Sequence, residues 1–221
     1  MKLLLDSISK NEIEVLNSVI DCYGVTSNPT IVKKHGKVNL FEHLKEIKKI
    51  NVDLELHVQV VGQTKEKILK DAKNIVDALG SDTFIKVPVD KEGLCTIKEL
   101  KKKGYRVTAT AIYSEFQAIL AVMNGADYIA PYINRMSNME KNTVEIIKNL
   151  RRFIDHEKYS TQILAASFKN IGQVTEIINA GAHGVTVNPY LINEVLLSPT
   201  VNKAIDQFVD DWEITFNRKE I

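Results

Sequence analysis

Lys86 is the residue whose sequence setting is most unusual for its type. It lies inside TFIKVPV (83–89), a run of apolar and β-branched residues that predicts a buried strand. Burial, with a second cation such as Arg135 nearby, would lower the pKa of Lys86 and leave part of its amine neutral. A neutral amine adds to a carbonyl carbon and forms an imine, so Lys86 is a candidate nucleophile. The alternative is a structural ion pair with Glu55 or Asp6.

A second group of residues could bind an anion. Arg135 and Lys169 each lie just beyond a predicted strand, and Ser167 ends the strand before Lys169. A guanidinium group offers two parallel N–H donors to phosphate oxygens, and a lysine supplies a point charge. These residues predict a phosphate clamp, and two exposed loop charges are the alternative.

Three further side chains complete the candidate chemistry. Gln59 and Thr110 are too weak to act as acid or base, but both can hydrogen-bond a water molecule. Tyr132 can pass a proton through that water. An amine, a water-binding trio and an anion clamp together fit a phosphorylated sugar that is cleaved or joined through an imine.

Eight short strand patterns, which would position these residues, alternate with amphipathic helix patterns along the chain. The predicted strands are residues 3–6, 23–26, 54–60, 83–89, 105–111, 127–132, 162–167 and 183–188. Eight such units in 221 residues predict an α/β fold, a (β/α)8 barrel in one domain spanning residues 1–221. A doubly wound open sheet is the alternative, but no Gly-x-Gly-x-x-Gly or Gly-Lys-Ser/Thr motif follows a strand.

The polar residues at the strand ends are the test of function, because sites in such barrels form at the carboxyl ends of the strands. Every predicted strand ends near a polar residue, including Asp6, Asn28 and Asn188. The strings GVTSNPTI (24–31) and GVTVNPYL (184–191) each place Asn as a helix cap and Pro in the first helical position. Similar turn chemistry or an internal duplication would produce this echo.

Cap residues mark the predicted helices. Ser9, Asn39 and Ser114 each precede a Glu or Gln by three residues, the spacing at which a cap side chain accepts from a first-turn amide. Glycines that can close a helix in a left-handed conformation follow four helices: Gly80, Gly104, Gly125 and Gly181.

Residues 198–216 predict an additional C-terminal helix, with Ser198 as its cap and Pro199 in its first turn. Its apolar stripe comprises Val201, Ile205, Phe208, Val209, Trp212 and Phe216. An exposed stripe of this size is typical of an association site. We therefore expect the helix to pack either on the barrel exterior or on a neighbouring subunit.

Composition argues against several classes of protein. Lys and Arg total 29 against 28 for Asp and Glu, so the charge balance does not indicate a partner such as nucleic acid or a membrane surface. No stretch approaches the ~20 apolar residues of a membrane-spanning helix, and the start is too short for a signal peptide. Cys22 and Cys95 lack metal-ligand spacing, so we predict two buried thiols, no metal site and a cytoplasmic protein.

Five strings resemble the transaldolase superfamily, in particular its short members, the fructose-6-phosphate aldolases: GVTSNPT, FIKVPV, TATAIYS, NGADYIAPYINR and AASFKN. They occur in order at most of the predicted strand ends. The resemblance implies a (β/α)8 barrel, an imine-forming lysine on the fourth strand and no metal or organic cofactor. It also implies a homodecamer built from rings, in which the C-terminal helix reaches over a neighbour.

The resemblance implies catalytic roles for five residues. Lys86 resembles the Schiff-base lysine, and Asp6, with Asn28, resembles groups that hold substrate hydroxyls and orient the lysine. Gln59, Thr110 and Tyr132 resemble the trio that positions and activates the catalytic water.

It also implies contacts to the sugar phosphate. Asn28 resembles a group that holds substrate hydroxyls, and Lys169 stands where longer transaldolases have an arginine. The expected substrate-binding residues are Thr26, Asn28, Asn134, Arg135, Ser167 and Lys169.

The activity implied is cleavage or formation of fructose 6-phosphate, with transfer of a dihydroxyacetone unit in the pentose phosphate pathway as the alternative. Transaldolases resemble the chain but carry Glu on the third strand and Phe after the sixth, where Gln59 and Tyr132 stand here, which favours the aldolase. Ser27 and His57 depart from the pattern, and we interpret His57 as a core residue. A non-catalytic phosphosugar-binding barrel is an alternative of a different class.

Overall fold

The computed structural model describes residues 1–221 and contains a closed barrel of eight parallel strands. The strands are β1 Lys2–Asp6, β2 Gly24–Thr26, β3 Glu55–Gln59, β4 Phe84–Pro88, β5 Arg106–Ile112, β6 Tyr128–Pro131, β7 Gln162–Ala165 and β8 Gly184–Val187. Each strand pairs with its sequence neighbours, and β8 pairs with β1. The predicted (β/α)8 barrel is confirmed, and the open sheet is wrong because the first and last strands are hydrogen-bonded to each other.

Helices follow the strands and are followed by an additional C-terminal helix. They are α1 Lys10–Val19, α2 Pro29–His35, α3 Leu40–Lys48, α4 Lys65–Leu79, α5 Lys91–Lys102, α6 Glu115–Met123, α7 Ile133–Ser137, α8 Thr143–His156, α9 Ile171–Asn179, α10 Pro189–Leu196 and α11 Pro199–Phe216. The chain forms two compact units, residues 1–189 and residues 190–221. That both belong to one domain remains a prediction. None of the helices combines the length and apolar character needed to cross a bilayer.

Most of the predicted helix caps are confirmed. The side chains of Asn39 and Ser114 accept from the amides of Glu42 and Gln117 at 3.5 and 3.3 Å. The four predicted glycines have left-handed φ values between 81° and 101°. Ser9 and Ser198 occupy the predicted N-cap positions, but the prediction that their side chains cap the helix is wrong, because neither makes a cap hydrogen bond.

The two faces of the strands have different surroundings. Residues such as Ile85, Val107 and Ile129 face outwards and are fully buried under the helices, where each contributes about 1.5–3 kcal/mol to stability. On the inner face, a cluster of Leu4, Phe84, Tyr128 and Leu164 fills the barrel. Phe84 lies two residues before Lys86 on β4. Lys86 therefore also projects into the barrel. It lies nearer the carboxyl ends of the strands than this apolar cluster.

The unit formed by residues 190–221 consists mainly of α11, which has no buried residue. Of the predicted apolar stripe, only Trp212 is partly shielded; its ring contacts Phe216 at 4.2 Å between centroids. Val201, Ile205, Phe208, Val209 and Phe216 are exposed. Packing of this stripe on the barrel exterior or on a neighbouring subunit remains a prediction.

Both cysteines are free thiols, but only one is buried. Cys22 is buried as predicted. The prediction for Cys95 is wrong, because α5 turns Thr96, Ile97 and Leu100 towards the core and leaves Cys95 on the opposite, exposed face.

Candidate active site

A cavity of about 740 Å³ lies at the carboxyl ends of the strands. Seven of the eleven predicted site residues line it: Asp6, Asn28, Gln59, Lys86, Tyr132, Arg135 and Ser167. Of the other four, Thr26, Thr110 and Asn134 bond to lining residues. Lys169 is exposed and outside the lining. Residues from separate strands therefore converge at one open end of the barrel.

Lys86 is only 4% exposed and reaches the cavity from β4. Neither predicted ion pair forms, because Glu55 is bonded to Lys2, and Asp6 acts on Lys86 only through its charge. Burial lowers the pKa of Lys86, and the Asp6 carboxylate partly opposes that effect. Arg135, expected as a second cause, does not contribute. Lys86 is thus a buried lysine without a salt bridge that faces a cavity.

Asp6 ends β1 beside the lysine. Burial raises the pKa of Asp6, and Lys86 and the hydrogen bond from Thr26 act in the opposite direction. The Thr26 hydroxyl lies 2.6 Å from Asp6 Oδ1 and 2.7 Å from the Thr186 hydroxyl. Thr26 and Thr186 are the matching positions of the GVT echo, and the two strands flank β1. The echo therefore supplies two hydroxyls, of which Thr26 donates to Asp6 and Thr186 bonds to Thr26.

The expected water-binding trio contains one direct contact. Thr110 Oγ1 donates to the Tyr132 hydroxyl at 3.2 Å. Gln59 Oε1 is buried and has no hydrogen-bond partner in the chain. A buried carbonyl oxygen without a partner costs about 1–3 kcal/mol, which a bound water or substrate hydroxyl would offset. Burial raises the pKa of Tyr132, which keeps its phenol protonated and able to donate.

The predicted anion-binding residues lie where β6 and β7 end. Arg135 is exposed on the short helix α7 and forms no salt bridge with a carboxylate. The amide of Asn134 donates to the Ser167 carbonyl at 2.9 Å, which ties α7 to the end of β7. Ser167 has φ 62°, a left-handed conformation that costs a non-glycine residue about 1–2 kcal/mol. Such strain is typical of functional sites.

Comparison with known proteins assigns the family. The sequence model described as "Transaldolase/Fructose-6-phosphate aldolase" matches residues 3–220. The chain belongs to this family. It is 45% identical over 222 residues to a "Probable fructose-6-phosphate aldolase" of Streptococcus pneumoniae (strain ATCC 700669 / Spain 23F-1), covering 100% of both chains. It is 33% identical over 220 residues to a "Probable transaldolase 2" of Listeria monocytogenes serovar 1/2a, covering 100% of this chain and 99% of the relative.

A solved structure supports the fold independently of close sequence similarity. The inosine 5' monophosphate dehydrogenase of Legionella pneumophila superposes with a TM-score of 0.59 at 19% identity. The match covers 86% of this chain and 58% of the dehydrogenase. At this identity the similarity concerns the barrel alone, and the family assignment rests on the sequence relatives.

His57 occupies the barrel core. Its side chain is fully buried and stacks on Phe84 at 4.6 Å between centroids. Nδ1 lies 2.8 Å from the Thr108 hydroxyl and Nε2 lies 3.4 Å from Glu55 Oε2. Burial lowers the pKa of His57 to about 4, so the ring is neutral at pH 7. It does not line the cavity, which agrees with its interpretation as a core residue.

Sequence reasoning missed several residues that line the cavity. Tyr113, Glu12, Lys34 and His35 all do so. Tyr113 lies in a quoted string, TATAIYS, but its position depends on an irregularity between Ala109 and Ile112 in the β5–β6 ladder. Period-two alternation does not reveal such a bulge. The short helix α7, which carries Arg135, was also missed, because five residues are too few to show helical periodicity.

Proposed function

We propose that this chain is a class I, Schiff-base aldolase that cleaves fructose 6-phosphate into dihydroxyacetone and glyceraldehyde 3-phosphate and catalyses the reverse reaction. The observation that carries this proposal is Lys86, a buried lysine with a lowered pKa and no salt bridge, facing a cavity of about 740 Å³. A fraction of neutral amine is what imine chemistry requires. The family and the relative from Streptococcus pneumoniae support the choice of substrate.

The reaction proceeds in balanced steps. Lys86 adds to the C2 ketone of the sugar, and loss of water from the carbinolamine gives an iminium ion. A base removes the proton of the C4 hydroxyl, the C3–C4 bond breaks, and its electron pair moves to the iminium nitrogen as an enamine forms. Glyceraldehyde 3-phosphate leaves. Protonation of the enamine at C3 and addition of water to the imine then release dihydroxyacetone and the free amine.

The roles of the polar residues follow from their contacts. Gln59 Oε1, buried without a partner, would accept from the reacting water. Tyr132, bonded to Thr110, would pass protons to and from that water. Asp6, held by Thr26 and close enough to influence Lys86, would orient the amine and accept from substrate hydroxyls. In this proposal the iminium nitrogen is the electron sink, so the reaction needs no metal or organic cofactor.

The phosphate of the sugar would bind beside Arg135, whose guanidinium lies against the ring of Tyr132. Arg135 supplies N–H donors, Ser167 supplies a hydroxyl, and Asn28 faces the sugar chain. Lys169 would add charge only after its exposed side chain moves towards the phosphate. Thr26 and Asn134 would support this arrangement through Asp6 and Ser167.

Transaldolase activity is the second candidate. The Listeria relatives described as probable transaldolases favour it, at 33% identity over the whole chain. In that reaction the three-carbon enamine persists until a second aldose accepts it, within the pentose phosphate pathway. The two activities share Lys86 and differ in whether water or an aldose takes up the intermediate.

Self-association is part of the proposal. The exposed stripe of α11 offers five large apolar side chains, a pattern that in soluble proteins is usually covered by a partner. We propose that a second copy of this chain covers it, in a cytoplasmic homo-oligomer for which the family resemblance implies ten subunits. Light scattering of the purified chain would give the subunit number, and a monomer at micromolar concentration would contradict self-association.

One experiment separates the candidates. The enzyme is incubated with fructose 6-phosphate, with and without erythrose 4-phosphate, and free dihydroxyacetone is assayed. Release without an acceptor supports the aldolase, whereas product only with erythrose 4-phosphate supports the transaldolase. Borohydride is added to a parallel sample, and the peptide containing Lys86 is analysed by mass spectrometry. No adduct at Lys86 would leave the non-catalytic binding barrel as the remaining interpretation.

A further inference from the structure

Tyr113 lies in the cavity but has no role in the reaction described above. It follows β5 directly, and its side chain is half-buried at the cavity wall. Its hydroxyl accepts from Arg135 Nη1 at 3.2 Å. Its ring meets the ring of Tyr132 edge-on, with 5.6 Å between the centroids. Tyr113 therefore contacts both the anion-binding residue and the tyrosine proposed to transfer protons.

The backbone of Tyr113 is held in place from several directions. Ala111, two residues earlier, has φ 54°, and the β5–β6 register shifts between Ala109 and Ile112. The Tyr113 amide donates to Gln117 Oε1 at 3.0 Å, and its carbonyl accepts from Lys141 Nζ at 2.5 Å. These contacts fix the backbone at Tyr113, and the edge-on contact with Tyr132 restricts the direction of its ring.

Arg135 depends on this phenol for its orientation. It is exposed, it lacks a carboxylate partner, and its hydrogen bond to Tyr113 leaves most of its five N–H donors free. Its guanidinium carbon lies 5.6 Å from the centroid of the Tyr132 ring, within cation–π distance. An exposed arginine otherwise samples many rotamers, and ordering it on binding weakens affinity. The two tyrosines restrict those rotamers.

We propose that Tyr113 is a positioning residue that makes the site specific for phosphorylated aldehydes, because it holds the Arg135 guanidinium in place for the phosphate. This inference rests on the proposed function. Tyr113 determines specificity through Arg135 and does not act on the reacting carbon atoms.

The test is the synthesis reaction of dihydroxyacetone with two acceptors, glyceraldehyde 3-phosphate and unphosphorylated glyceraldehyde. In Tyr113→Phe, the KM for the phosphorylated acceptor is expected to rise about 10-fold, the effect of one lost hydrogen bond to a charged group. The KM for glyceraldehyde and the kcat for both acceptors are expected to change less than about 2-fold. Tyr159→Phe, which removes a phenol hydroxyl outside the cavity, serves as the matched control.

A double-mutant cycle distinguishes positioning from packing. If Tyr113 acts through Arg135, Tyr113→Phe adds no further loss of selectivity in the Arg135→Met background. Equal losses for both acceptors, or an added loss in that background, would overturn the inference. Borohydride trapping of dihydroxyacetone on the wild-type enzyme is run in parallel. No trapped adduct at Lys86 would defeat the proposed function itself, whereas an adduct with unchanged acceptor selectivity in Tyr113→Phe would defeat only the role of Tyr113.

Discussion

Two lysines project into the same barrel from different strands, and their surroundings differ completely. Lys2, on β1, donates to Glu55 at 3.2 Å and to the Tyr128 hydroxyl, and lies 4.2 Å over the ring of Tyr23. Lys86, on β4, is more deeply buried and has no such partners. A charged group with satisfied partners stabilises a fold, whereas a buried charged group without them favours its neutral form. Partners, more than burial, therefore distinguish Lys2 from Lys86, the lysine proposed to react.

The same contrast holds for the polar groups around each lysine. Near Lys2, Glu55 accepts from Tyr128 at 2.9 Å and from the His57 ring, so all three side chains have partners. Burial raises the pKa of Glu55, but these hydrogen bonds and the charge of Lys2 outweigh it and keep the carboxyl ionised. Near Lys86, burial raises the pKa of Asp6, and Gln59 Oε1 lacks a partner. The polar groups around Lys2 therefore have partners within the chain, whereas Gln59 Oε1 near Lys86 does not.

Of the variants compared, Lys86→Met should have the largest effect, a loss of turnover. Turnover of fructose 6-phosphate should fall at least about 10³-fold, because the imine cannot form. The fold should be retained, because Lys86 makes no salt bridge and Asp6 keeps its hydrogen bond from Thr26 when the ammonium is removed. Steady-state kinetics and urea denaturation measure the two effects. Activity near the wild-type level would refute the assignment of Lys86.

His57, which lies beside Glu55 at the Lys2 end of the barrel, should make the free energy of unfolding depend on pH. Its pKa is about 4 in the fold against 6.5 when unfolded, so the unfolded chain binds more protons between these values. Stability is therefore lost as pH falls from about 6.5 to about 4, by about 3 kcal/mol. In urea denaturation across that pH range, His57→Phe should not show this decrease in stability. The exposed control His156→Ala should still show it. Identical pH dependence in His57→Phe and wild type would contradict the burial argument.

Lys2→Met sharpens the comparison because it changes the other lysine in the same way. Glu55 and Tyr128 lose a donor at a mostly buried position, so the free energy of unfolding should fall by about 1–3 kcal/mol. The kcat should stay within about 2-fold of wild type, because Lys2 does not line the cavity. A loss of activity in the folded variant as large as that of Lys86→Met would remove the distinction between the two lysines.

Tyr132→Phe should produce the smallest effect. Loss of the hydroxyl that Thr110 contacts should slow hydrolysis of the imine and shift products from free dihydroxyacetone towards transfer, by less than the ~10²-fold typical of a direct acid or base, because Tyr132 acts through a water. Chromatographic analysis of products with and without erythrose 4-phosphate gives the ratio. A ratio equal to that of wild type would remove Tyr132 from the proton-transfer step.

Sequence reasoning predicted the barrel because repeating apolar patterns determine where strands and helices form. It also found Lys86, since a cation inside an apolar run is visible without a structure. It did not find Tyr113 or the short helix carrying Arg135, because bulges and single turns leave no periodic signal. Nor could it exclude ion pairing of Lys86, because Lys2 lies 53 residues from Glu55 and only the closed barrel brings them together.

The most direct test of the central claim is the pH dependence of imine formation with dihydroxyacetone. The enzyme is mixed with dihydroxyacetone at pH values from 6 to 11, quenched early with borohydride, and the adducts on Lys86 and Lys2 are quantified by mass spectrometry. We expect labelling at Lys86 with a midpoint clearly below pH 10.5, the ordinary lysine value, and none at Lys2. Labelling of Lys86 only near or above pH 10.5, or equal labelling of both lysines, would contradict the account.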